Sequence, residues 1–235
     1  MKLKSPICVA LDQRDPDEVA RVAAAVEAHV GLFKVGLTTF VAFGSYLTRS
    51  LAQQRPVFLD LKLHDIPAQV EGAVASVRET GASLVTIHAA GGREMIRAAV
   101  EAAPEEVGIV AVTVLTSLDD EVLTEIGMTG PAHEAVMRLA TLALEEGVTG
   151  LVCSPLEVAA LRQRFGSRDA GGPLLVVPGI RPAGAAKADQ RRTMTPEEAM
   201  GAGADVLVVG RPITGADDPQ RAAAAIESAA TQGAP

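Results

Sequence analysis

The 235-residue chain has no tryptophan, one tyrosine and five phenylalanines. A surface that stacks nucleobases on aromatic rings cannot be built from so few. Basic charge is scarce too: 21 Lys and Arg face 29 Asp and Glu, a net charge of −8. Nucleic-acid binders carry a basic footprint, so no nucleic acid is expected as a partner. An anionic small molecule stays open, because a few local cations decide that. The two cysteines, Cys8 and Cys153, lie far apart in apolar stretches. They offer neither a disulfide framework nor a metal-ligand spacing, and a reducing cytoplasm is the expected compartment. The four histidines are scattered without zinc-site spacing. No apolar run nears the roughly 18 residues of a membrane helix; the longest, 107–115, is strand-sized. The short apolar stretch that ends at Asp12 does not make a secretory signal, so no membrane partner is expected.

What the sequence has in quantity is a repeated alternation. Hydrophobic residues make up 48% and charged residues 21%, the mix of an ordinary globular protein. β-rich runs at 7–11, 32–35, 57–61, 84–87, 109–114, 150–153, 174–177 and 206–209 alternate with amphipathic segments such as 16–28, 69–80 and 94–102. Alternating β and α runs predict a parallel sheet covered by helices. Eight units of roughly 29 residues fit a (β/α)₈ TIM barrel, with residues 1–235 as one catalytic domain. A doubly wound open sheet is the structural alternative. It usually places a glycine-rich loop after its first strand, whereas Leu11 is followed by Asp-Gln-Arg-Asp-Pro. Residues 180–193 read as a long loop after the seventh strand, and residues 221–230 as a closing helix.

Strand parity sorts the charged residues. Side chains two apart share a face. Val57, Leu59, Leu61 and Leu63 are expected outward, with Phe58, Asp60 and Lys62 inward. On the first strand Cys8, Ala10 and Asp12 are expected inward; on the second, Lys34 and Gly36. Charges then gather at the C-terminal rim, where barrels do their chemistry. A satisfied ion-pair network with no chemistry is the structural alternative, but buried ion pairs stabilise poorly compared with apolar packing. An alternating cluster of Lys34, Asp60, Lys62 and Asp65 can keep an ammonium protonated among carboxylates. Such an ammonium stabilises developing negative charge and then acts as general acid.

A second group of residues points to phosphate. Pro178-Gly179-Ile180-Arg181 follows the seventh strand, and Gly210-Arg211-Pro212 follows the eighth. These two loops commonly hold phosphate in barrels. Gly210 allows close backbone approach, amides at the next helix start suit an anion, and Arg211 can make charge-assisted bonds to phosphate oxygens. Tight turns with a surface arginine are the alternative.

The run Asp60-Leu61-Lys62-Leu63-His64-Asp65-Ile66-Pro67 resembles the D-x-K-x-x-D-I-P signature of the orotidine 5′-phosphate decarboxylase family, in its bacterial form. The stretches 9–12, 33–36, 111–117, 178–181, 189–192 and 209–211 match its other landmarks in order, so the resemblance spans essentially the whole chain. It implies conversion of orotidine 5′-monophosphate to UMP and CO₂ in de novo pyrimidine synthesis, without cofactor or metal. By position, Lys62 would protonate C6 and Asp60 would lie against the substrate carboxylate. Lys34 and Asp65 would complete the network, with Asp65 and Ile66 reaching the neighbouring subunit's site in a homodimer. Asp12 and Lys34 would bind ribose hydroxyls, and Thr116 and Ser117 the pyrimidine edge. Pro178, Arg181, Gln190, Gly210 and Arg211 would line or hold the phosphate site, the 180–193 loop closing over it.

Two departures stand out. The family pattern continues Ile-Pro-x-Thr, and this chain has Gln69 in place of the Thr; Gln69 can still donate a hydrogen bond, but it is longer. Thr38 stands where many members have an acidic residue. His88 is expected as a neutral, hydrogen-bonded imidazole near the rim, His64 as loop support, His29 and His133 as exposed helix residues, and Cys153 as a small core residue. Two other functions remain alternatives. One is a Mg²⁺-dependent sugar-phosphate lyase or decarboxylase sharing the D-x-K-x-x-D strand, which the charge of Lys34 opposes. The other is a catalytically silent phosphate-binding barrel.

Overall fold

The strand runs are short, rich in Val, Ile and Leu, and apolar on both faces, which suits a parallel sheet covered on each side. In the computed structural model, which describes residues 3–182 and 192–233, they form β1 (Ile7–Leu11), β2 (Leu32–Gly36), β3 (Val57–Leu63), β4 (Leu84–His88), β5 (Gly108–Val112), β6 (Gly150–Val152), β7 (Leu174–Val177) and β8 (Val206–Val209). Each strand pairs in parallel with the next, and β8 returns to β1, closing an eight-stranded barrel. The TIM-barrel reading holds, and the open sheet is excluded by the β1–β8 pairing.

Helices fill the crossovers: α1 (Pro16–Val26), α2 (Leu37–Ala52), α3 (Pro67–Ala75), α4 (Gly92–Ala102), α5 (Asp120–Glu125), α6 (Ala132–Glu145), α7 (Val158–Phe165), α8 (Pro196–Gly201), α9 (Arg211–Thr214) and α10 (Pro219–Gly233). None of the described helices is long and apolar enough to cross a membrane. α1 starts where Asp15 accepts a hydrogen bond from the Asp17 amide at 3.0 Å, with Pro16 in the first helical position.

Parity divides the core in two. Cys8, Leu32, Phe58, Leu84, Val110, Leu174, Val176 and Val206 fill the barrel interior. Val9, Phe33, Leu59, Val85 and their neighbours pack outward against the helices. Phe33 and Phe58 are almost wholly buried, one in each layer, and each contributes roughly 1.5–3 kcal/mol of burial. Register sets the rim: Lys34 lies between Ala10 and Phe58, and Gly36 lies beside Asp60.

Strand ends differ from expectation where a partner runs out. β3 continues to Leu63, two residues past the periodic run, while β5 stops at Val112 and β6 at Val152. β6 stops because Ser154 accepts from the Leu156 amide at 3.2 Å and opens a 3₁₀ turn over Pro155–Glu157. β5 then has no ladder left; the amide and hydroxyl of Thr113 both donate to the Val152 carbonyl, at 3.2 and 3.1 Å.

Candidate active site

Four adjacent strands bring one polar array to the C-terminal rim. Asp12 follows β1, Lys34 lies on β2, Asp60 and Lys62 on β3, and Thr86 on β4. Lys34 Nζ donates to Asp12 Oδ1 at 3.0 Å and sits 3.6 Å from Asp60 Oδ2. Lys62 Nζ donates to Asp60 Oδ1 at 2.8 Å, and the Thr86 hydroxyl donates to the same oxygen at 3.1 Å. Signs thus alternate along Asp12, Lys34, Asp60 and Lys62.

The array's charges outweigh its burial. Burial alone pulls the Lys34 ammonium down, but Asp60 and Asp12 reverse this and hold its pKa above the ordinary lysine value. Burial likewise pushes Asp60 up, but Lys34, then Lys62 and the hydrogen bonds from Lys62 and Thr86, hold it below the usual carboxylate range. Both groups are therefore charged across the neutral range.

Two backbone features shape this wall. Lys62 has φ 54°, the single non-glycine residue with positive φ among those described. The β3–β4 register shifts between Leu59 and Leu63, around the same point. A left-handed lysine is held only where its surroundings over-determine it, which is typical of functional sites. At Gly36 a Cβ would meet Asp12 Oδ1 at 2.6 Å and Lys34 Nζ at 2.7 Å. Glycine there leaves the space that the ion pair occupies.

The array forms one wall of a cavity of about 610 Å³. Pro178, Gly179 and Arg181 from the end of β7, and Gly210, Arg211, Thr214 and Gly215 from β8 and α9, also line it. Burial, then the charge of Arg211, pulls Arg181 below the ordinary guanidinium value. Two guanidiniums lining one cavity suit an anion. The stems of the 180–193 loop are clipped together: the Arg181 amide donates to Met194 O at 3.0 Å and Met194 to Gly179 O at 3.3 Å. Gly210 has φ −104°, and a Cβ there would meet only Ala10, at an ordinary 3.7 Å.

Thr116 also lines the cavity, from the loop after β5. Ser117 does not; it is exposed beside it. Asp65 stands apart from the array. It is exposed, its Oδ1 accepts from the Ile66 amide at 2.7 Å, and it makes no ion pair among the described residues of one chain. The expected four-membered network is therefore, within one chain, Asp12–Lys34–Asp60–Lys62. Asp65 leaves because β3 ends at Leu63 and the chain turns outward. Ile66 is 63% exposed and Gln69 is exposed on α3, both off the cavity lining. Gln190 lies outside the described residues.

Sequence reasoning missed Thr86, and with it the cavity residues Gln13 and Glu18. Thr86 had a signal, a hydroxyl at inward parity between Leu84 and His88; Gln13 and Glu18 lie where no periodicity informs. His88 and His64 stack with ring centroids 5.5 Å apart. Burial, then the charges of His64 and Lys62, holds His88 below the ordinary imidazole value, so it is neutral. His29 is not an exposed helix residue: it is half-buried and pairs with Glu227 at 3.0 Å. Cys8 and Cys153 are buried, and burial pushes both thiols far above the ordinary value, as expected of core residues.

Comparison with known proteins gives the family. A sequence profile described as "Orotidine 5′-phosphate decarboxylase / HUMPS family" matches residues 5–226. The chain belongs to that family. It is 56% identical over 227 residues to the orotidine 5′-phosphate decarboxylase of Anaeromyxobacter dehalogenans, covering 96% of this chain and 98% of that one. It is 53% identical over 226 residues to that of Thermobifida fusca, covering 95% of each chain. The crystal structure of the orotidine 5′-phosphate decarboxylase from Lactobacillus acidophilus superposes with a TM-score of 0.83 at 36% identity, covering 97% of this chain and 99% of that one. The chain is thus an enzyme of that family, and the silent-barrel alternative lapses.

Proposed function

We infer that this chain converts orotidine 5′-monophosphate to UMP and CO₂, with residues 1–235 acting as one catalytic barrel. One observation carries the reading: one cavity is lined both by the alternating Asp12–Lys34–Asp60–Lys62 array and by Arg181 and Arg211. The arginines take the phosphate, Asp12 and Lys34 the ribose hydroxyls, and Thr116 the pyrimidine edge. This lays the C6 carboxylate against Asp60 and Lys62.

Loss of CO₂ leaves an electron pair in the ring plane at C6, with little delocalisation available. The bond between C6 and the carboxylate carbon breaks, its electrons stay on C6, and Lys62 Nζ delivers a proton there. A fixed ammonium beside the reacting carbon supplies stabilisation where charge develops, and as general acid it completes the product. Asp60 holds that ammonium in place and repels the substrate carboxylate. The remote phosphate orients the reacting end and contributes binding energy toward it.

The donor set favours this reaction over the Mg²⁺-dependent lyase. Asp60 Oδ1 already receives Lys62, and Oδ2 faces Lys34. Two ammoniums around one carboxylate suit an anionic substrate and oppose a divalent cation.

Asp65 and Ile66 act across a homodimer, entering the partner's site. Their outward exposure supports this, as do the exposed apolar side chains of α2, where Val41 and Tyr46 are 81% and 85% exposed. Large apolar side chains left exposed mark interaction sites where they cluster.

The test follows the absorbance of orotidine 5′-monophosphate with purified protein, with and without EDTA, beside Lys62→Ala. Turnover insensitive to EDTA and reduced at least about a thousandfold by Lys62→Ala is expected. Absence of wild-type turnover overturns the substrate assignment. Full activity of Lys62→Ala overturns the mechanism.

A further inference from the structure

Thr86 is fully buried on β4, at inward parity between Leu84 and His88. Its surroundings are otherwise those of a core strand, where a hydroxyl is costly unless both of its hydrogen-bonding roles are used. Both are used, and both on the active array. The hydroxyl proton goes to Asp60 Oδ1 at 3.1 Å, and a lone pair accepts the Lys62 amide at 2.8 Å. Lys62 Nζ reaches the same Asp60 oxygen at 2.8 Å. A closed circuit results: Lys62 is held at its backbone by Thr86 and at its ammonium by Asp60, and Asp60 is held by both.

This circuit sits at the left-handed turn of β3. Lys62 has φ 54°, and the β3–β4 ladder shifts register between Leu59 and Leu63. The Thr86 side chain takes the Lys62 amide where the ladder slips. The same hydroxyl thereby supports an unusual backbone angle and sets the direction in which the lysine leaves the strand.

We propose that Thr86 is a positioning residue for decarboxylation, its hydroxyl fixing the Lys62 backbone and the Asp60 carboxylate in a single reactive geometry. The proposal rests on Lys62 being the proton donor, as inferred above. Valine at this position keeps the volume and the β-branch but leaves the Lys62 amide without its acceptor and Asp60 with one donor fewer. The lysine then samples other directions, and Asp60 becomes easier to protonate. The phosphate end lies across the cavity and is untouched.

The experiment compares wild type, Thr86→Val, Thr86→Ser and Lys62→Ala by steady-state decarboxylation of orotidine 5′-monophosphate between pH 4 and 9. Thr86→Val is expected to lower kcat about 10- to 100-fold, the penalty of small misplacement, with KM held within about threefold. Toward pH 4 its kcat falls further below wild type, because loss of a hydrogen bond to the charged form raises the Asp60 pKa. Thr86→Ser, which keeps the hydroxyl, restores kcat and the wild-type pH profile. An active wild type and a silent Lys62→Ala beside an unimpaired Thr86→Val overturn this proposal alone. So does a Thr86→Ser variant as slow as Thr86→Val, which makes the role one of packing. An inactive wild type, or an unimpaired Lys62→Ala, overturns the parent reading and this one with it. Should valine prevent folding, Thr86→Ala against Thr86→Ser gives the same comparison with the same outcomes.

Discussion

Asp60 is the hinge of the charge pattern. Lys34, Lys62 and Thr86 all converge on it, and together they hold its carboxyl below the ordinary range despite burial. A carboxylate with a lowered folded pKa contributes stability that is present above its unfolded value, about 3.9, and is lost as pH falls through the folded value. Lys34 behaves oppositely. Its raised pKa contributes stability that is full below about 10.4 and lost as pH climbs through the folded value. Between these limits Asp60 and Lys34 are both charged. Asp60→Asn removes the acid-side contribution alone. The urea midpoint of wild type relative to Asp60→Asn is therefore expected to fall as pH drops from 6 toward 2. A difference that stays constant over that range would show that the carboxyl is not held low. Lys62 adds a backbone cost of roughly 1–3 kcal/mol for its left-handed conformation. Strain of that size, kept at a residue that faces the cavity, is offset by the anchors at both ends of the side chain.

On the mechanism proposed above, elements divide into those that carry the reaction and those that hold the frame. β3 belongs to the first kind. Its periodic half builds the core, and its last three residues, Leu61, Lys62 and Leu63, depart from full burial and regular pairing to present the lysine. α8 belongs to the second. It begins directly after Met194, the returning stem of the 180–193 loop, and a reciprocal cap fixes its start. The Glu198 amide donates to Thr195 Oγ1 at 3.3 Å, and the Thr195 amide donates to Glu198 Oε2 at 2.9 Å. Thr195→Ala is expected to cost about 1 kcal/mol. In a chain of this length that lowers Tm by roughly 2–4 °C, with kcat close to wild type. A calorimetric scan beside the decarboxylation assay checks both halves. A large fall in kcat with unchanged Tm would mean that the cap serves the loop and not the helix.

Across the whole molecule, barrel closure makes neighbours of segments far apart in the chain. Arg192 shows the reach of this. It pairs with the buried Glu157 at 2.5 Å and donates to the Leu115 carbonyl at 3.1 Å. Ends of the loops after β5, β6 and β7 are thereby tied together beside Thr116. The same architecture leaves Asp65 and Ile66 exposed and off the lining of their own cavity, which gives the proposed homodimer a direct test. Lys62→Ala and Asp65→Ala proteins, each poorly active alone, are mixed under mild denaturant and returned to buffer. With Asp65 acting in trans, half of the sites in each mixed dimer join an intact Lys62 to an intact partner Asp65, and activity returns. With Asp65 acting in cis, every site in the mixed dimer lacks one group and the mixture stays inactive.

Local information was enough for much of this. Alternation along Val57-Phe58-Leu59-Asp60 sorts inward from outward because strand geometry has a period of two, whatever the strand packs against. Eight such runs with helical segments between them leave few topologies open, and the charge signs of Asp12, Lys34, Asp60 and Lys62 are visible before any folding. Other features depend on contacts between distant segments, and no local pattern carries them. Thr86 joins the array through register between β3 and β4. The left-handed turn at Lys62 depends on where that ladder slips. β5 stops early because β6, about forty residues later in the chain, has already turned away. Asp65 marks the boundary between the two kinds of knowledge. Its place in the motif is plain in one dimension, yet the direction of its side chain follows from how β3 ends. Secondary structure follows from periodicities within a few residues, whereas a site is assembled by closure, which brings together side chains whose order in the chain says nothing of their distance.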